Sequence, residues 1–296
     1  VAPFMAKRKI NGVLLLDKPT GLTSNGALQR AKRLFEAEKA GHTGTLDPFA
    51  SGLLPLCLGE ATKFSQFLLN ADKAYRAEIH LGVRTTTADP EGEVIEMKPV
   101  TVTAEQVQAV LPRFLGEVMQ VPPMHSALKR DGRPLYEYAR KGIEIERAPR
   151  AVRVHEIGVE SLAGEVLTVV VRCGKGLYVR TLAEDIGAAL GCGAYLQALR
   201  RLAVGPFRLE DAVGLPELEA MALPERDGRL LPAAILVADL PRVELDIDAA
   251  WQLCHGQAIW RSGLAVGQRF ALFDPSARFL GVAEVNDDGK LAPRRL

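Results

Sequence analysis

Two periods of hydrophobic spacing share this chain. Tyr75, Ala77, Ile79 and Leu81 alternate with Arg76, Glu78 and His80, which predicts a strand with one buried face. Val152–Leu162 and Val166–Cys173 alternate similarly around Ala163-Gly164-Glu165 and predict a strand pair. Val13–Leu16 and Leu53–Leu58 are short apolar runs of β character. Helical spacing puts Ala27, Leu28, Ala31, Leu34 and Phe35 on one face of a helix that Ser24 caps and that runs to about Glu38. Ala61–Asn70 carries Phe64, Phe67 and Leu68 at the same spacing, and Thr103 opens a helix that ends near Pro112. Leu177–Leu190 and Tyr195–Leu202 read as two further helices. Asp17–Gly21 and Ala88–Gly92 are turns, and Gly41–Ser51 is a loop dense in Gly, Thr and Pro.

Strands and helices are interspersed without a repeating βαβ unit, so the fold class expected is α+β. Residues 122–151 lack strong periodicity and form an insert. From Glu210 to Pro241 the chain turns acidic and Pro-rich, which predicts a lid-like or linking region. Beyond it, one helix (Ala249–Cys254) precedes Gly256, Gly263, Gly267, Gly281 and Gly289. Short β-like runs at Arg269–Phe273, Phe279–Val285 and Lys290–Ala292 separate those glycines and predict a small β-barrel. The expected organisation is a first domain over 5–241 and a second over 242–296. Val1–Phe4 precede Met5 and stay outside this division.

A chain of 296 residues with 48% hydrophobic and 25% charged residues has the globular balance, which excludes a disordered or collagen-like chain. No apolar run approaches the roughly 18 residues of a membrane span. Cys57, Cys173, Cys192 and Cys254 form no CxxC pair and suit reduced, packed thiols, so a cytoplasmic protein without a metal site is expected. Net charge is only +1, but it is unevenly spread: Lys129–Arg153 holds eight basic and four acidic residues, Glu210–Asp248 three basic and ten acidic. One part of the chain can face a polyanion and another cannot.

Candidate chemistry lies in three places. In Gly41-His42-Thr43-Gly44-Thr45-Leu46-Asp47-Pro48, Asp47 is a nucleophile, a general base, a metal ligand or simply a turn cap. His42 is a proton shuttle or a surface group. Cys173-Gly174-Lys175-Gly176 resembles a phosphate loop but is no Walker A, and Arg180 follows in the first turn of a helix. A cation there is opposed by the helix dipole and calls for a carboxylate partner. The insert joins cations to Tyr136 and Tyr138, a pairing suited to phosphates and stacked bases or to a solvated face. Tyr75, at a strand start, reads first as a half-buried packing residue and only then as a catalytic one.

Taken together, ordered strings resemble the bacterial tRNA pseudouridine synthases of the TruB type along almost the whole chain. They are Asn11–Pro19, Gly41–Pro48, Leu58–Lys63, Ser126–Lys129, Leu135–Arg140, Lys175–Arg180, Leu199–Leu202 and Gly289–Arg295. Leu177, Gly174, His125 and Thr86 stand where the family commonly has Thr, Ser, Tyr and Asp. The resemblance implies a mixed-sheet pseudouridine synthase catalytic domain followed by a small PUA-like β-barrel. It implies isomerisation of the T-loop uridine at tRNA position 55, after base flipping, with no cofactor.

By the same resemblance Asp47 is the catalytic aspartate, Arg180 its ion-pair partner, Tyr75 the tyrosine on the uracil and Leu199 an apolar wall. His42 fills the space of the flipped base, and Lys18 with Pro19 supports the catalytic loop. RNA contacts are expected from His42, Lys18, Lys63, Lys129, Arg130, Arg140, Lys141, Arg200, Lys290 and Arg294. The partner implied is the T arm of tRNA, met by a monomer with neither guide RNA nor membrane. The rivals are a non-catalytic RNA-binding protein, a small-molecule enzyme using the Gly-Lys-Gly loop for phosphate, and a guide-RNA-dependent relative.

Overall fold

The computed structural model describes residues 7–126 and 128–296. Residues 5 and 6 of the expected first domain, and Ala127 of the Ser126–Lys129 string, lie outside the described residues.

The alternating segments assemble into one ten-stranded mixed sheet. Its main elements, with two helices, are β1 (Gly12–Lys18), α1 (Ser24–Leu34), β2 (Ser51–Leu58), β3 (Lys73–Leu81), β4 (Gly116–Gln120) and β5 (Arg150–Ala163). They continue with β6 (Val166–Cys173), α2 (Val179–Ala189), β7 (Ala194–Val204) and β8 (Val213–Gly214). The spatial order is β8-β1-β2-β7-β3-β6-β5-β4. β1 with β8 and β2 with β7 run parallel, while the other neighbours are antiparallel. Tyr75, Ala77, Ile79 and Leu81 of β3 pack with Val169 and Val171 of β6 and with Leu182 and Ile186 of α2. On the other half of the sheet, Ala27, Leu28 and Ala31 of α1 cover Leu14, Leu16, Leu54 and Leu56.

Several expectations are corrected here. Tyr195–Leu202 is not a helix but lies within β7, a central strand between β2 and β3. Its pairing with β3 slips between Leu196 and Ala198 and again between Arg201 and Ala203. An unpaired bulge residue breaks the two-residue period. Leu196 and Leu199 therefore share one apolar cluster at a three-residue spacing that imitates a helix. Thr23, not Ser24, caps α1, accepting from the Gly26 amide at 2.9 Å. The helix ends at Leu34, short of Glu38, because Glu36 takes a positive φ of 53°. Part of the 41–51 loop is ordered: Ala40–His42 pairs with the end of β2. Glu210–Pro241 is no lid. It pairs β8 with β1, bridges Leu231 to Val13 and buries Leu236 and Val237.

The C-terminal region forms β9 (Arg242–Glu244), α3 (Ile247–Cys254), β10 (Ile259–Trp260), β11 (Arg269–Phe273), β12 (Phe279–Val285) and β13 (Lys290–Arg295). Its strands make a curled five-stranded sheet in the order β9-β11-β12-β13-β10. One face encloses its own core of Val243, Leu253, Phe270, Leu272 and Leu291. Ala271 and Val282 instead join the cluster that holds Val13, Leu53, Phe64 and Leu236. Phe64 meets Phe279 edge-on, with ring centroids 5.1 Å apart.

Candidate active site

Four elements converge on Asp47. The segment that carries it runs between His42 and β2 and is held at both ends. The Leu46 amide donates to the Ser24 hydroxyl at 2.7 Å, and that hydroxyl donates to the Leu46 carbonyl at 2.9 Å. Ser24 is therefore a clamp for the residue before Asp47. From the other side, the Gly21 amide donates to the Pro48 carbonyl at 2.8 Å. The Gly21 turn is tied down in its turn by Lys18, whose buried ammonium donates to the carbonyls of Pro19 (2.8 Å) and Leu22 (2.6 Å). Burial pulls the Lys18 pKa down to about 8. Lys18 is thus corrected from the set of RNA-contact cations to an internal prop, the loop-supporting half of what was expected of it.

Arg180 enters from the first turn of α2 and is buried. Its Nε lies 3.1 Å from Asp47 and a terminal nitrogen 3.2 Å from Asp89. Another terminal nitrogen donates to the His125 carbonyl at 2.6 Å. Two carboxylates and a carbonyl at a helix N-terminus answer the electrostatic problem that the position poses for a cation. Asp89 is itself buried and accepts from the Thr87 hydroxyl (2.5 Å) and the Glu91 amide (3.0 Å). Asp47 keeps about a third of its side chain open, at 34% exposure. Burial raises its pKa, Arg180 opposes that rise, and Asp89 adds to it.

Tyr75 is the third residue of β3, and Leu199 follows the first bulge of β7. Both are buried in the cluster that includes Leu46 and Ala50. Burial raises the Tyr75 pKa. Directly across from Tyr75 on β7 stands Arg201, 1% exposed, with its Nε donating to the Leu53 carbonyl at 2.7 Å. His42 is half-buried, its pKa lowered by burial and by Arg201, and its Nδ1 is buried without a hydrogen-bond partner. Among the described residues no group of three or more His, Cys, Asp or Glu is gathered to hold a metal ion.

Asp47, Arg180, Tyr75 and Leu199 therefore come together, joined by Asp89, Ser24 and Arg201, to which the sequence reading gave no place in the site. The cations expected to meet RNA divide. Lys129, Arg130, Arg140 and Lys141 are exposed on the insert, where Lys129–Arg130 pairs with Arg133–Pro134 ahead of a short helix, Leu135–Ala139. Arg140 lies over the Tyr136 ring, 5.3 Å from its centroid. Arg200 is bound in a fork to Asp17 at 3.2 and 2.7 Å. Lys63 pairs with Glu60 and donates to the Leu296 carbonyl, and Arg294 pairs with Glu284. Lys290, half-buried, lies opposite Trp260. Of the four departures, His125 stands close enough to influence Asp47, and Leu177 packs on the central cluster. The Thr86 hydroxyl accepts from the Glu93 amide, and the Gly174 amide donates to Arg153.

The mixed sheet thus carries a loop aspartate paired with a buried arginine, close to a buried tyrosine. Residues 32–179 match the TruB family pseudouridylate synthase N-terminal domain. Residues 180–240 match the tRNA pseudouridylate synthase B C-terminal domain, and 241–296 the pseudouridine synthase II TruB C-terminal region. The tRNA pseudouridine synthase B of Methylobacillus flagellatus is 54% identical over 98% of this chain and 96% of its own length. That of Burkholderia mallei is 56% identical over 99% of this chain and 96% of its own. A chain from the crystal structure of a Cbf5-Nop10-Gar1 complex superposes with a TM-score of 0.74 at 28% identity, covering 96% of this chain and 84% of that one. The chain belongs to the TruB family of pseudouridylate synthases.

Proposed function

We propose that this protein converts the uridine at position 55 of the tRNA T loop to pseudouridine, as a monomer acting on bare tRNA. The observation that carries this reading is the Asp47–Arg180 ion pair at 3.1 Å, on a loop held at both ends with Lys18 bracing one of its supports. The near-identity in length and the high identity to relatives named for tRNA support the substrate. Chains from the Cbf5-Nop10-Gar1 complex and from an H/ACA RNP bound to a substrate RNA are more distant, at 28% and 25% identity, which favours the tRNA reading.

The reaction detaches uracil at N1–C1′, turns it and joins C5 to C1′. No electrons are gained or lost overall and no group leaves, so no cofactor is required. An ionised Asp47 attacks the ribose or base, or assists elimination. Arg180 favours that ionised form against burial. Tyr75 stacks on the uracil, and Leu199 with Leu46 keeps water from the detached base. A base inside a folded loop must be flipped out at a cost of a few kcal/mol. His42, neutral and with an open ring nitrogen, suits the vacated space. The exposed cations of the insert grip phosphates of the T arm.

The test is pseudouridine mapping on an unmodified tRNA transcript, with wild type and Asp47→Asn side by side and no guide RNA. The expected result is a single new pseudouridine in the T loop from wild type only, with RNA affinity kept by Asp47→Asn. Equal binding with no product from wild type would leave a binding protein instead.

A further inference from the structure

The site described above leaves one sequence motif unused: Cys173-Gly174-Lys175-Gly176, where β6 gives way to the loop before α2. That loop is pinned at both ends. The Gly174 amide donates to the Arg153 carbonyl at 2.8 Å. At the other end the buried Gln120 grips Tyr178 twice: its Oε1 accepts from the Tyr178 amide at 3.1 Å, and its Nε2 donates to the Tyr178 carbonyl at 3.3 Å. Between these points the amides of Lys175 and Gly176 find no acceptor among the described residues. A cavity of about 280 Å³ opens beside the loop, bounded by Gln120, Pro122, Leu128 of the insert and Arg150–Val152 of β5. Among the described residues no carboxylate lines it. Its two cations, Arg150 and Lys175, are exposed and neither forms an ion pair there; Lys175 meets only the neutral Asn70 Oδ1, at 3.2 Å. Open backbone amides beside unpaired cations make an anion-binding concavity.

Resting on the function proposed above, we propose that this cavity is a sugar–phosphate subsite for the RNA. Lys175, Arg150 and the two open amides take one backbone phosphate. The cavity is larger than a phosphate alone, and the attached ribose lies against Pro122 and Val152. Because the loop is pinned at both ends, the donors are in place before RNA arrives. Arg180 follows in the first turn of α2 and pairs with Asp47, so the phosphate held here belongs to the strand that presents the uridine to Asp47. A contact of this kind fixes the register of the RNA on the protein and reads no base. It lies at the root of the insert, apart from the cations exposed along it.

The test pairs variants of the full chain with synthetic T-arm stem–loops, each carrying a single neutral methylphosphonate linkage near the target uridine. Lys175→Ala and Arg150→Ala change exposed side chains and are expected to fold. Each should weaken binding of the unmodified stem–loop by about tenfold. Each should also shrink the slope of log affinity against log salt by roughly 0.7–0.9. One neutral linkage should weaken wild type to a similar extent and add nothing in Lys175→Ala, where the contact is already gone. Unchanged affinity in both variants overturns the inference. So does a loss to which every neutral linkage adds in full, which makes the two cations part of a diffuse field. Inorganic phosphate is the last arm. If it shifts the Lys175 and Gly176 amide resonances while no neutral linkage weakens wild type, the cavity is a free-anion site and the RNA assignment falls. All these readouts are of binding and need no product. Absence of pseudouridine from wild type would therefore sink the proposed function separately.

Discussion

Asp47 is held in its working state against its own surroundings. Burial is the largest influence on it and raises its pKa above the ordinary carboxylate value. Folding therefore favours the protonated form. That contribution to stability is complete below the unfolded-state pKa and is lost as pH rises through the raised folded value. Asparagine cannot ionise, so Asp47→Asn should melt with the wild type in acid and above it at neutral pH, which melting curves across that range will check. The residues that make this site were unequally legible. Chemistry alone leaves Asp47 and Arg180 each a structural alternative, the resemblance singles them out, and the helix dipole calls for a carboxylate beside Arg180. Asp89 escaped because an Asp before Pro90 reads as a turn, and its contact with Arg180 spans 91 residues. Ser24 reads as a cap, since sequence shows a hydroxyl at a helix start but not that its partner is Leu46.

At the scale of elements, the alternating strands were readable because one face of each is buried and the other polar. The bulged strand β7 was not, because two slips in register erase the alternation where Leu199 and Arg201 must face the site. Its contact with β2 is also unusually close. A Cβ added to Gly52, whose φ is +102°, would lie 2.4 Å from the Arg201 carbonyl and 2.6 Å from its amide nitrogen. Backbone cannot retreat there without parting the two strands that carry the aspartate loop and Arg201. Gly52→Ala should destabilise the protein by about 2 kcal/mol or more and lower the isomerisation rate, as seen by denaturant unfolding and single-turnover assays.

For the molecule as a whole, the charge division along the chain has a spatial meaning. The basic insert is exposed, whereas the acidic 210–241 region packs against β1. RNA affinity should therefore fall with salt, and Lys129→Ala or Arg140→Ala should shrink the slope of log affinity against log salt by roughly 0.7–0.9 per phosphate contact removed. Filter binding at several salt concentrations measures it. The change of composition after Pro241 marks where the second sheet begins, but composition cannot show what that sheet leans on. Ala271 and Val282 share a cluster with Val13 and Leu53, and Phe279 meets Phe64. A boundary visible in composition is thus bridged by a common apolar core. Heat should not separate what the glycines divide on paper: a calorimetric scan should trace one cooperative transition, with both sheets lost together.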